Sequence, residues 1–277
     1  VVHAVSATWI GGTGSYSDDT NWDVPMVPCN TDVMLFQITI PADIGIVSDD
    51  VGVCDVDIFS LGDNSEFRIL DGNNYTVSGQ ADLFGIIQGA GGDFTALSAA
   101  FPGNQARAHA ELGANIVIGA LDYSSAGLPG AITLFSATNP GSVLDLSSLQ
   151  NLDAGFNDGN STVGAHSVVA ADGATIDLSG LVSVTAPARA EDVLEFYVDV
   201  NGMMDLSKLN SIDGGGQVAF VLSRGAELRI GDLVGATTTT VIRLNDPDTT
   251  LDATGHSCLR GQEQHHPYRC GPRRMLQ

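Results

Sequence analysis

Residues 106–111 read ARAHAE. In a strand, the period of two sends Arg107, His109 and Glu111 to one side and Ala106, Ala108 and Ala110 to the other. A guanidinium, an imidazole and a carboxylate in one line suit general acid–base work. His109 would move the proton, Glu111 would orient it, and Arg107 would hold an anion. A helix, which the alanines permit, would spread the three apart and lose the arrangement. The preceding stretch, GAGGDFTALSAAFPGNQ, is long and irregular, as an inserted functional loop would be. The plainer alternative is a solvated polar edge.

A second set of candidates is acidic. Asp145, Asp177 and Asp205 occupy the same place in three related segments, LDLSSL, IDLSGL and MDLSKL. If these segments stack in register, the carboxylates stand about 4.8 Å apart on one face. Two such charges repel by roughly 0.9 kcal/mol in water and about 3.5 kcal/mol at an effective dielectric of about 20. Ca2+, which takes carboxylate and carbonyl oxygens in flexible geometry, would relieve that repulsion. The turn NLDAGFNDGN adds Asp153 and Asp158 as further ligands. In the alternative, each aspartate bonds a backbone N–H at its own bend. Arg229 holds the same place in the next segment and favours a pair with Asp205 there. His166, inside a strand-like run, reads as a structural histidine.

Composition narrows the chemistry. The chain has 11 basic and 33 acidic residues, a net charge of −22, and one lysine, Lys208. A surface so short of cations argues against nucleic acid and anionic membrane as partners and favours divalent cations. No stretch approaches the ~20 apolar residues of a membrane span. The nucleophile elbow G-x-S-x-G, the zinc motif H-E-x-x-H, the phosphate loop G-x-x-x-x-G-K and a strand-linked G-x-G-x-x-G are all missing.

The elements that must position these groups follow from repetition. Four segments align: GSVLDLSSLQNLDAG from Gly141, GATIDLSGLVSVTAP from Gly173, NGMMDLSKLNSIDGG from Asn201 and GAELRIGDLVGATTT from Gly225. Each alternates with period two, as a half-buried strand does. Each follows another apolar run and a Gly- or Asn-rich turn. The anchors Asp145, Asp177, Asp205, Arg229 and Asp252 are 32, 28, 24 and 23 residues apart, the length of one coil of a β-solenoid. Such a unit buries its apolar side only by stacking. Parallel crossovers are right-handed, so the expected fold is an all-β, right-handed parallel β-helix. A β-sandwich is the alternative.

Both tryptophans, Trp9 and Trp22, lie near the start, separated by a Gly- and Asp-rich loop. A solenoid leaves an apolar core open at its end, and this pair would cover it. The run WIGGTGSYSDDTNWD, followed by Pro28 and Asp32-Val33, resembles the start of secreted bacterial β-helix proteins of the autotransporter-passenger and surface-anchored type. There a W-x-G-G-x-G run leads through N-W to P and D-x-V at the first rung. The likeness covers about 35 residues. It implies an extracellular β-helix with an N-terminal cap and says little about activity. Tyr16 departs from it, standing where such segments repeat Trp, and no terminal anchor is recognisable. β-Helices of the pectate-lyase kind lean on basic residues, with which this chain and its one lysine are poorly supplied, whereas hydrolytic ones use carboxylates.

The expected organisation is the end of a secretory leader at residues 1–7, from the small residues Val5 and Ala7. A cap and first rung at 8–40, the β-helix at 41–255 and an appended tail at 256–277 follow. Four arginines against Glu263 make that tail +3, while the rest, with 7 basic and 32 acidic residues, carries −25. Cys29 and Cys54 form either a disulfide or two buried thiols. Two functions remain open. One is a secreted, Ca2+-binding surface or matrix protein that meets a glycan or a neighbouring molecule. The other is an extracellular Ca2+-dependent hydrolase acting on a glycosidic, ester or lactone bond.

Overall fold

Parity decides which side of each strand is inside. In Thr175–Asp177 and Met203–Leu206, Ile176, Met204 and Leu206 are fully buried, while Asp177 and Asp205 face outward. Leu178, Leu181, Leu209, Leu228 and Ile230 are buried on the same rule. Strands of three to six residues hide only one face and become stable by stacking.

The computed structural model describes residues 3–31, 34–103, 105–128, 130–157 and 163–253. Asp158 and the basic tail from His256 lie outside the described residues. The chain winds through three all-parallel sheets of twelve, ten and four strands. Val143–Asp145, Asn151–Asp153 and Ala165–Ala170 make one coil, with one strand in each sheet. The next coil, Thr175–Asp177, Ser183–Thr185 and Val193–Val198, pairs with it strand for strand. This is a β-solenoid, and its uniformly parallel ladders are incompatible with an antiparallel sandwich. Sharp turns return the chain to the long sheet through left-handed pairs such as Leu112-Gly113, Asp172-Gly173 and Arg224-Gly225, whose φ values are all positive.

One expectation changes. The segment GAGGDFTALSAA is not an inserted loop. Asp93–Ala100 is a strand of the long sheet, paired with Asn74–Leu83 on one side and Asn115–Ile118 on the other. Its glycines permit close contact between rungs: a Cβ on Gly92 would lie 2.2 Å from the Leu70 carbonyl oxygen. At the start of the chain, His3–Thr8 is the first strand of the long sheet, in register with Met34–Ile40. Val5 and Ala7, which resemble a cleavage site, are positions where this strand packs on the core.

Residues 9–31 form the cap between these two strands. Trp9, Tyr16 and Trp22 are buried. Trp9 and Trp22 meet edge to face at 5.1 Å, and Tyr16 packs on Trp22 at 4.8 Å. The indole N–H of Trp9 donates to the Gly12 carbonyl and that of Trp22 to the Tyr16 carbonyl. The Tyr16 hydroxyl donates to the Pro28 carbonyl at 2.8 Å and meets the Tyr75 hydroxyl at 3.1 Å. A Cys29–Cys54 disulfide ties the cap to the coil beneath it.

Candidate functional site

Residues Arg107–Glu111 form a strand of the ten-stranded sheet. Ala106, Ala108 and Ala110 face the core with no exposure, so Arg107, His109 and Glu111 share the outer face as alternation requires. Small inward side chains are needed here because Phe101, Tyr123 and Phe135 fill the interior nearby. The outer groups are partnered across rungs rather than along the strand. His109 lies between Gln88 and Ser136. Its Nδ1 is 2.8 Å from the Ser136 hydroxyl. Glu111 accepts from the Gln88 amide and does not orient His109. Arg107 Nε is enclosed without an acceptor among the described residues.

Burial first, and the Arg107 charge second, bring the His109 pKa down to about 4. The imidazole is therefore neutral at pH 7 and able to accept a proton from a hydroxyl. The cation beside it is Arg107, the group that the sequence offered for holding an anion. Ile132–Ala137, which carries Ser136, is paired on both sides at Phe135–Ala137, so the amides around Ser136 are engaged in the ladder.

The aspartate column is in register. Asp145 lies opposite Asp177, Asp177 opposite Asp205, Asp205 opposite Arg229, and Arg229 opposite Asp252. Each aspartate closes its own bend. The amides of Ser147, Ser179 and Ser207 donate to Oδ1 of Asp145, Asp177 and Asp205 at 2.8–2.9 Å. Arg229 lies 3.6 Å from Asp205 and closer, at 2.9 Å, to Glu227. Asp153 belongs to a different sheet. It accepts from Gly155 N at 2.8 Å and from the Ser124 hydroxyl at 3.0 Å. The sequence grouped Asp153 with the column, and the structure separates them. Among the described residues no group of three or more His, Cys, Asp or Glu side chains is arranged to hold a metal.

Three interior polar groups stand out. His166 is fully buried, with Nδ1 2.9 Å from the Ser125 hydroxyl and its ring stacked on Phe156 at 3.7 Å. Asp192 is fully buried and accepts from Gly164 N, while its Oδ2 has no partner among the described residues. Asp49 ends the strand Ile46–Asp49, pointing inward beside Ile69 of the next rung. Among the described residues its Oδ1 accepts only a long bond from Val51 N, 3.3 Å, and its Oδ2 accepts none. Burial raises its pKa to about 6, against the Val51 bond and with the help of the Asp50 charge. Sequence reasoning passed over Asp49, although parity from Val47 places it inside.

No known protein family, curated protein or solved structure matches the chain.

Proposed function

We propose that this protein is a non-catalytic, extracytoplasmic β-solenoid whose acidic flank binds Ca2+ weakly between rungs and serves as an interaction surface. The observation that carries this reading is the in-register pair Asp145–Asp177. One oxygen of each carboxylate is held by a backbone amide, which fixes its direction, and the other faces outward. Two oriented carboxylates at rung spacing form an open site rather than a closed cage. A cation there keeps most of its waters, and its affinity belongs to the 10⁻⁴–10⁻³ M range of extracellular modules. The Cys29–Cys54 disulfide supports an oxidising compartment. Calorimetric Ca2+ titration tests the reading, with Asp145→Asn/Asp177→Asn as the variant. Asparagine preserves the bend and removes both charges, so binding should disappear while the fold remains.

One observation favours a second reading, a Ca2+-dependent hydrolase. Neutral His109 beside the Ser136 hydroxyl is a base next to a potential nucleophile. Against it stand the bond from Gln88 that takes Glu111 away and the engaged amides of the ladder. Turnover of a glycan, ester or lactone panel that is lost in both chelator and His109→Ala would establish it.

A further inference from the structure

At the entrance to the four-stranded sheet every coil makes the same turn. The Leu121 carbonyl accepts from the amides of Gln150 and Asn151, that of Gln150 from Val182 and Ser183, and that of Val182 from Asn210 and Ser211. The Asn210 carbonyl accepts from Gly235 N, which brings Val234 into line. Leu121, Gln150, Val182, Asn210 and Val234 therefore form a single ridge, one residue per coil. All five are exposed, and the aliphatic members are bare to 55%, 43% and 70% in that order. The strand positions beside the ridge are Asp122, Asn151, Ser183 and Ser211, in register. The Asn151 amide donates to Asp122 and the Ser183 hydroxyl to Asn151, so this flank is bonded within itself. In a chain of net charge −22, the ridge is an almost uncharged path.

Its order is aliphatic, amide, aliphatic, amide, aliphatic, symmetric about Val182. We propose that this ridge is a self-association face on which two copies of the chain pack antiparallel about a two-fold axis at Val182. Val182 then meets Val182 of the second copy, Leu121 meets Val234, and Gln150 meets Asn210. Aliphatic lies on aliphatic, and the two amides can exchange hydrogen bonds. Sliding by one rung of about 4.8 Å sets the overlapping aliphatic side chains against amides and leaves one end residue of each ridge uncovered, so the register is specified. Parallel packing about a two-fold axis along the ridge would also close, but it would set each residue against its own copy, so that Leu121→Cys alone would cross-link. The strip is narrow and the bodies repel, so the dimer belongs to the weak class, below about 1,200 Å² of total buried surface. Its affinity should rise with salt, because screening removes the repulsion.

Sedimentation equilibrium of the full chain, across a wide concentration range at low and high salt, tests this. The expected result is a monomer–dimer equilibrium that tightens with salt. Val182→Asp, which places two charges on the axis, should weaken it by more than about tenfold. Leu112→Asp, at an exposed position off the ridge, should leave it unchanged. Cross-linking gives a second readout, run with Cys258 and Cys270 replaced by Ser. Val182→Cys should form a disulfide with its own copy. Leu121→Cys and Val234→Cys should each fail alone and cross-link when mixed. A monomer at every concentration and salt, a dimer indifferent to Val182→Asp, or association that weakens with salt would each overturn the proposal.

Discussion

Asp49 gives the sharpest thermodynamic prediction. Its carboxyl is fully buried below the cap, near the hydroxyls of Tyr16 and Tyr75, with one long hydrogen bond and one bare oxygen. Folding raises its pKa from 3.8 to about 6. The folded chain thus holds a proton between about pH 4 and 6 that the unfolded chain releases. Stability from this group is greatest below pH 4 and falls as pH rises through 6. The shift of about two units corresponds to roughly 3 kcal/mol of destabilisation at pH 7. Asp49→Asn removes the charge and keeps the shape, so it should stabilise at pH 7 by about 1–3 kcal/mol and do almost nothing at pH 4. His109 works in the opposite sense over the same window. Its folded pKa of about 4 lies below the unfolded value, so stability falls as acid protonates the unfolded imidazole. The test is therefore the difference between Asp49→Asn and the parent, measured by urea unfolding at a series of pH values. Trp9 and Trp22, the chain's two tryptophans, report the cap directly. A difference that does not change between pH 4 and 7, or an Asp49→Asn variant less stable than the parent at pH 7, would refute the reasoning.

Leu178→Ala should cost about 2–5 kcal/mol in chemical unfolding, since Leu178 is wholly enclosed between coils. Reducing Cys29–Cys54, which spans 25 residues, should lower stability by about 3–4 kcal/mol and expose the tryptophans to quenchers. NMR titration should find the His109 imidazole neutral down to about pH 5, and Arg107→Gln should raise its pKa by removing a neighbouring positive charge.

The coils from Gly141 onward were legible because each repeats a polar-aliphatic alternation, with aspartate or Arg229 at its centre, behind a turn. The earlier coils lack that signature. Asp93–Ala100 read as a loop because Gly89, Gly91 and Gly92 precede it, yet those glycines allow neighbouring rungs to approach. At the candidate site, alternation placed Arg107, His109 and Glu111 on one face, as found. It could not supply their partners. Gln88 and Ser136 come from rungs about twenty and twenty-seven residues away, and the second ladder beyond Ser136 contains a register shift at Thr133/Phe135. A one-residue slip exchanges inside for outside, so cross-rung neighbours follow only from coil length and bulges together. Asp49 was legible in principle: the alternation Val47, Ser48, Asp49 points it inward, but an adjacent pair of acids reads most simply as a solvated turn.

If the acidic flank binds Ca2+ as proposed, the cation and the stability of the fold are linked. The most direct measurement is thermal unfolding of the parent and of Asp145→Asn/Asp177→Asn in Ca2+, in Na+ at equal ionic strength, and in chelator. At a tenfold excess of Ca2+ over Kd, binding to the folded chain should add about 1.4 kcal/mol to the parent beyond the effect of Na+. The double variant should show no such gain, because its neutral side chains hold the bends without attracting the cation. Parent curves that coincide in Ca2+, Na+ and chelator, or a Ca2+ gain that survives in the double variant, would contradict the account.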